Sequence, residues 1–404
     1  MGKGDAMFQF PRRRLQAATS LGFSALLMVA LASCGVNRSV PPLSNTTPTT
    51  GTSSGPALRA VGARGGSAWA ITSSQFFLTT DEGAHWSSTP LPTQFSSGSD
   101  GSLGSSGDLW LLTGTGASAS FYRAASPSAA WSKTTVALTW PTGAPSGSLL
   151  GSGAIRASFG SSASGIVAAI VTEGGAQTGP VGLALLSSDG GQTFQQRDPP
   201  TLFGNWEIAF ISSAVGVIVG SSSNQQNNAL YFTKDGGASW QPATLPNYTS
   251  TSTSESSLGA PVVVGSRIYV TANVPTSSGR ELELYASDDG GATFALQDTI
   301  TAADATDVEP PALGVNGVNV WLAPGHGRTV VESSNGGASW RDVSAPTLGA
   351  SVESIGLSGA SDATAWVASS SCTGVKTDCT SSENLLATTD GGITWHRAGE
   401  PSAS

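Results

Sequence analysis

The sequence predicts an all-β protein built from repeated four-stranded sheets. Three observations carry that prediction. Short apolar runs bounded by Gly, Ser, Asn and Asp dominate the 404 residues, and few segments have helical periodicity. One turn pattern recurs: Ser or Thr, then Asp two residues on, Gly two after the Asp, and an aromatic five after it. Its anchor positions fall 45 to 63 residues apart and average 51.5, the length of one small sheet per repeat.

The turns are "TTDEGAHW" (Asp81, Gly83, Trp86), "SSDGGQTF" (Asp189, Gly191, Phe194), "TKDGGASW" (Asp235, Gly237, Trp240), "SDDGGATF" (Asp289, Gly291, Phe294), "SSNGGASW" (Asn335, Gly337, Trp340) and "TTDGGITW" (Asp390, Gly392, Trp395). A degenerate seventh, "AASPSAAW", keeps Trp131 but has Ser126 at the aspartate position. Upstream of most turns stands an apolar strand such as "SAWAI" (Trp69), "DLWLL" (Trp110), "RIYVTA" (Tyr269), "NVWLA" (Trp321) or "TAWVA" (Trp366).

This pattern resembles the Asp-box (BNR) repeat, and the resemblance spans nearly all of residues 57–404. It implies a seven-bladed β-propeller of four-stranded antiparallel blades, with the box joining the third and fourth strands of each blade. Closing the sheets into a ring protects their edges. The chemistry of the box is structural. The carboxylate accepts N–H bonds from its own turn, the glycine takes a positive φ, and the aromatic is expected to be buried under the turn. Losing that ring would cost about 3–5 kcal/mol. Asn335 and Ser126 could not serve as general acids or bases, so no catalytic residue is assigned.

Residues 1–33 resemble a bacterial lipoprotein signal. Lys3 and Arg12, Arg13 and Arg14 precede an apolar run from Leu21 to Leu31, and "LASC" ends at Cys34. The resemblance implies cleavage before Cys34, lipidation of its thiol, and a place on the extracytoplasmic face of the cell membrane, or on the outer membrane in a diderm host. An ordinary secretory signal or a short membrane helix are the alternatives. Residues 34–56 hold almost no apolar bulk and read as a disordered Ser/Thr/Pro-rich tether to the propeller at 57–404.

Of 18 basic and 27 acidic residues the leader takes four and one, which leaves a mature charge of about −12. That argues against nucleic acid as a partner and against contact with anionic lipid other than through the anchor. The expected state is a monomer. Cys372 and Cys379 lie in "SSSCTGVKTDCTSS", read as a long polar loop inserted between the "TAWVA" and "LLATTDGG" strands and therefore a candidate recognition element. Outside the cytoplasm the two thiols are expected to form a disulfide. No histidine adjoins them, and neither a metal site nor a cofactor is expected.

Propellers with this repeat include photosystem II assembly factors, which the "TAWVA…TTDGGITW" pairing resembles most in style, and sialidases. A sialidase would need an Arg-Ile-Pro early in the propeller; the nearest match is "SRIYV" at Arg267, far downstream in a strand. A glycosidase would need two facing carboxylates. The unassigned acids are Asp100, Asp108, Glu173, Glu207, Asp304, Asp307, Glu309 and Glu353. The three histidines, His85, His326 and His396, are scattered, and His85 and His396 read as surface strand residues. The sequence therefore points to a non-catalytic binding or scaffold protein for an unknown protein or glycan ligand. The alternative is a glycan-active hydrolase on the same fold.

Overall fold

A computed structural model describes residues 58–398, apart from 96–98, 116, 141–155, 160–164, 174–180, 201, 223–227, 247, 249–255, 278, 303–310, 325–328, 344–350, 359–361 and 373–378. The leader, Cys34, the tether, His326, Asp304, Asp307 and Glu309 lie outside the described residues.

Seven antiparallel sheets follow one another along the chain. Blade one is β1 (Ala60–Arg64), β2 (Ser67–Ile71), β3 (Gln75–Thr79) and β4 (Ser87–Pro90). Blade two is β5 (Asp100–Leu103), β6 (Leu109–Thr115), β7 (Ser118–Ala124) and β8 (Ser132–Ala137). Blade three is β9 (Arg156–Phe159), β10 (Val167–Glu173), β11 (Val181–Ser187) and β12 (Gln195–Arg197). Blade four is β13 (Leu202–Phe210), β14 (Gly216–Ser222), β15 (Asn228–Thr233) and β16 (Gln241–Pro242). In blade five the first strand is split into β17 (Ser257–Leu258) and β18 (Val262–Val264), both paired with β19 (Arg267–Thr276), which precedes β20 (Gly279–Ser287) and β21 (Ala295–Ala302). Blade six is β22 (Ala312–Asn316), β23 (Asn319–Ala323), β24 (Val331–Ser333) and β25 (Arg341–Asp342). Blade seven is β26 (Ser351–Leu357), β27 (Ala363–Cys372), β28 (Cys379–Thr388) and β29 (His396–Arg397). No helix occurs among the described residues.

First strands touch first strands all the way round, so they form the inner wall of the ring. The core lies in the seams between blades. Trp69, Ile71, Phe76 and Leu78 of blade one meet Leu103 and Leu109 of blade two, and Trp110, Leu112 and Phe121 meet Val171, Leu183 and Leu185 of blade three. Middle strands are therefore covered on both faces. That is why "SAWAI" and "DLWLL" read as continuous apolar runs and not as alternating ones. Each fully buried Leu, Ile or Phe there contributes about 1.5–3 kcal/mol.

Every blade is made of consecutive strands, so the ring closes without strand exchange. Contacts between blades one and seven close it. Trp366 Nε1 donates to the Gly62 carbonyl at 2.9 Å, Ala63 N donates to Ser354 Oγ at 3.0 Å, and the Trp86 and Trp366 rings lie 6.1 Å apart. A Cβ on Gly356 would stand 2.7 Å from the Arg64 backbone nitrogen, so glycine lets the two inner strands approach.

Two expectations are corrected here. Cys372 and Cys379 themselves stand on strands and not in a loop: they end β27 and begin β28, and the strand register sets them opposite each other. The box aromatics are also less buried than expected: Phe294 is 6% exposed, but Trp86, Phe194, Trp240, Trp340 and Trp395 are only half-buried. They lie at the edge of a seam, not beneath it. Trp395, for example, packs edge-on against Trp321 of the preceding blade at 5.7 Å and donates its Nε1–H to the Val343 carbonyl.

Candidate functional site

The box turns join third and fourth strands, and strands alternate in direction. The turns between first and second strands therefore share an end of the ring with the boxes. The opposite end carries the long connections, such as those between Ala137 and Arg156 and between Pro242 and Ser257, together with the β27–β28 hairpin end.

Each box is a closed hydrogen-bond set. At Asp189, Oδ1 accepts from the Ser187 hydroxyl at 2.7 Å and from the backbone N–H groups of Gln192 and Thr193 at 3.0 and 2.9 Å. Oδ2 accepts from the Thr193 hydroxyl at 2.6 Å, and Gly191 N donates to Ser187 Oγ at 2.8 Å. Gly191 takes a φ of 85° to make that last bond. The Thr193, Ser239 and Thr394 hydroxyls, then the backbone N–H groups of the same residues, hold Asp189, Asp235 and Asp390 at a pKa of about 2. Burial opposes this at Asp289, yet the Thr293 hydroxyl and N–H still hold it at about 2. These carboxylates are ionised acceptors with their lone pairs engaged. At Asn335 an amide substitutes: Oδ1 accepts from Ser339 N at 2.9 Å and Nδ2 donates to Ser339 Oγ at 2.8 Å.

Blade one departs from the pattern twice. His85 occupies the place of the usual Ser or Thr, and its Nδ1 lies 2.6 Å from Asp81 Oδ2. The backbone N–H of His85 comes first and its ring second in holding Asp81 at about 2. His85 is therefore part of the turn, not a strand residue as expected; it lies between Asp81 and the start of β4. His396 does stand on a strand, exposed and opposite Ala387. Glu82 takes a positive φ of 58° where other boxes have glycine, and its carboxylate accepts from Ser358 of blade seven at 3.0 Å.

Sequence reasoning missed the arginines. Arg123 Nη1, Arg197 Nε and Arg341 Nη2 each donate to the carbonyl of the residue after the box Asp in the next blade, namely Gly190, Gly236 and Gly391. They stand at different offsets from their own boxes, so no spacing signals them. Arg123 also bonds Asp108 Oδ2 at 2.7 Å. Asp108 is 5% exposed, and burial pushes its pKa up, but the Ser106 hydroxyl and the Arg123 guanidinium hold it below the usual carboxylate range. With Trp110 Nε1 donating at 2.6 Å, this carboxylate is fully committed to the seam.

A cavity of about 430 Å³ lies inside the ring, walled by first strands. Val61, Leu313 and Val315 are half-buried on its wall, Ile355 and Leu357 belong to the seam core behind it, and the glycines at 62, 101, 314 and 356 are covered by neighbouring strands. Its charged residues are Arg64, Asp100 and Glu207. Two of the eight unassigned acids are thus brought together in one cavity. Asp108 is in a seam; Glu173 and Glu353 lie on β10 and β26, their side chains outside the described residues. Arg267 is also not in the cavity, since it pairs with Asp288 at 3.4 Å and stacks over Tyr269. Among the described residues no group of three His, Cys, Asp or Glu side chains is placed to hold a metal ion.

The family profile described as BNR/Asp-box repeat matches residues 386–397, the end of β28, its box and the last strand. The chain is similar in structure to YCF48 bound to D1 peptide, at 16% identity, 72% of this chain, 77% of that one and a TM-score of 0.42. It is also similar to the Hadza microbial sialidase Hz136, at 15% identity, 66% and 63% coverage and a TM-score of 0.42. A third similar fold is the PL25 ulvan lyase, at 9% identity, 83% and 93% coverage and a TM-score of 0.45. No curated protein sequence matches the chain.

Proposed function

We propose that this chain is a lipid-anchored, extracytoplasmic binding propeller that captures its ligand without turning it over, with the cavity inside the ring as the binding site. The observation that carries this reading is the cavity wall: the inner strands of the ring, with the half-buried aliphatics Val61, Leu313 and Val315 and three charged residues on it. Such a surface suits a ligand held by shape and a few polar contacts. The box carboxylates are spoken for by their own turns, which leaves them no acid–base role. The anchor follows from the resemblance of residues 1–34 to a lipoprotein signal, with Cys34 as the lipidated residue; Cys34→Ala should abolish fatty-acid labelling. Cys372 and Cys379, opposite one another across the hairpin, would be joined by a disulfide, and both should resist alkylation in protein taken from the native envelope.

The second reading, a glycan hydrolase, rests on Asp100 and Glu207 sharing that cavity. One experiment separates the two. The full chain is incubated with a panel of aryl glycosides, sialosides and polysaccharides, beside Asp100→Asn and Glu207→Gln. The binding reading expects no product from any of the three proteins. Product formed by the parent chain and lost in both variants would establish the hydrolase instead.

A further inference from the structure

Arg64 is the last residue of β1, at the box end of the inner wall, and it lines the cavity. It is half-buried, and among the described residues its guanidinium has no hydrogen-bond or ion-pair partner. Burial pushes its pKa down, while the charge of Asp108 pulls the other way. Asp108 accepts instead from Ser106, Trp110 and Arg123. The other arginines of the seams find box carbonyls; Arg64 does not. A half-buried guanidinium fork with an open acceptor position favours an anion that completes it.

We infer that Arg64 and the cavity it lines form a binding site for a small monocarboxylate with an aliphatic body. This deepens the binding reading above and rests on it. Three features select the ligand. The planar guanidinium matches a carboxylate through two parallel hydrogen bonds. Val61, Leu313 and Val315, half-buried on the cavity wall, favour an apolar body over a polyhydroxylated one. Asp100 and Glu207 in the same cavity repel anions in proportion to their charge, so a single carboxylate is opposed least and phosphate dianions and polyanionic glycans most.

The test uses the purified full chain and ligand-observed saturation-transfer NMR with 4-methylpentanoate, 4-methylpentanamide and glucuronate. The acid should bind at least tenfold more tightly than the amide and than glucuronate. Arg64→Gln should weaken binding of the acid at least tenfold without changing the melting temperature by more than a degree or two, and Arg64→Lys should lie between. Equal binding of acid and amide by the parent chain, or no binding of either, overturns the assignment, and this comparison needs no variant to fold. Glucuronate binding as well as the aliphatic acid overturns the aliphatic specificity. A folded Arg64→Gln chain that keeps affinity within twofold overturns the role of Arg64. Product release from the glycoside panel would overturn the non-catalytic reading separately, and would leave the acid–amide comparison to stand on its own.

Discussion

The turn at Asp189 and the turn at Ser126 do the same work by different means. At Asp189 the turn holds itself, through a carboxylate that accepts from two backbone N–H groups and two hydroxyls. At Ser126 the side chain reaches only Ser128 Oγ, at 3.3 Å. That turn is held from outside: Thr89 Oγ1 donates to the Pro127 carbonyl at 2.6 Å, and Trp131 Nε1 donates to the Pro90 carbonyl at 2.9 Å, both from one blade to the next. Blade two also has a polar seam, with Asp108, Trp110 and Arg123 joined to Gly190 of blade three. A box is thus one way to fasten a blade, and a seam can replace it.

The largest expected effect breaks the seam. Asp108→Ala leaves Arg123 and Trp110 Nε1 without their buried acceptor and should destabilise the chain by about 3–5 kcal/mol in urea unfolding. A loss below that of a box aspartate would mean that blade two is held some other way. Asp390→Ala removes a self-contained fastening and should cost about 1–2 kcal/mol, with the fold retained.

Acid loosens the boxes in a defined window. The box aspartates have folded pKa values of about 2, below the ordinary value of 3.8. Their stabilisation is therefore complete above about pH 4 and is lost as the pH falls toward 2. Stability followed by tryptophan fluorescence should decline through that window. The decline should be smaller when Asp390 is replaced by Asn, which does not titrate and which fills the box at Asn335.

The all-β class, the blade count and the place of each box were legible in the sequence because they depend on local chemistry at fixed spacing. Ser187, Asp189, Gly191 and Thr193 fall within seven residues and bond one another. The split first strand of blade five was not legible, because β17 and β18 are too short to have a period of their own. Nor were the seam arginines, whose partners lie 39 to 67 residues away. Arg64 gave no signal for the same reason: "AVGAR" says strand, and only the ring puts its last residue in a cavity. His85 was misread because its partner, Asp81, had already been given a complete set of bonds within its own turn.

Smaller effects sharpen the comparison. Glu82→Gly should stabilise blade one by up to about 1 kcal/mol by relieving a positive φ, less whatever the contact with Ser358 contributes. Ser126→Asp alone should gain no more than about 0.5 kcal/mol, because Ala124 and Ala130 stand where a box has its hydroxyls.

The account assigns fastening to the boxes and binding to the cavity inside the ring. The most direct measurement sets Asp390→Ala beside Arg64→Gln, with melting temperature and affinity for 4-methylpentanoate read on the same samples. Asp390→Ala should melt lower and bind within twofold of the parent chain; Arg64→Gln should melt like the parent chain and bind at least tenfold more weakly. An Asp390→Ala chain that melts normally yet fails to bind would contradict the account, since it would move binding to the turns.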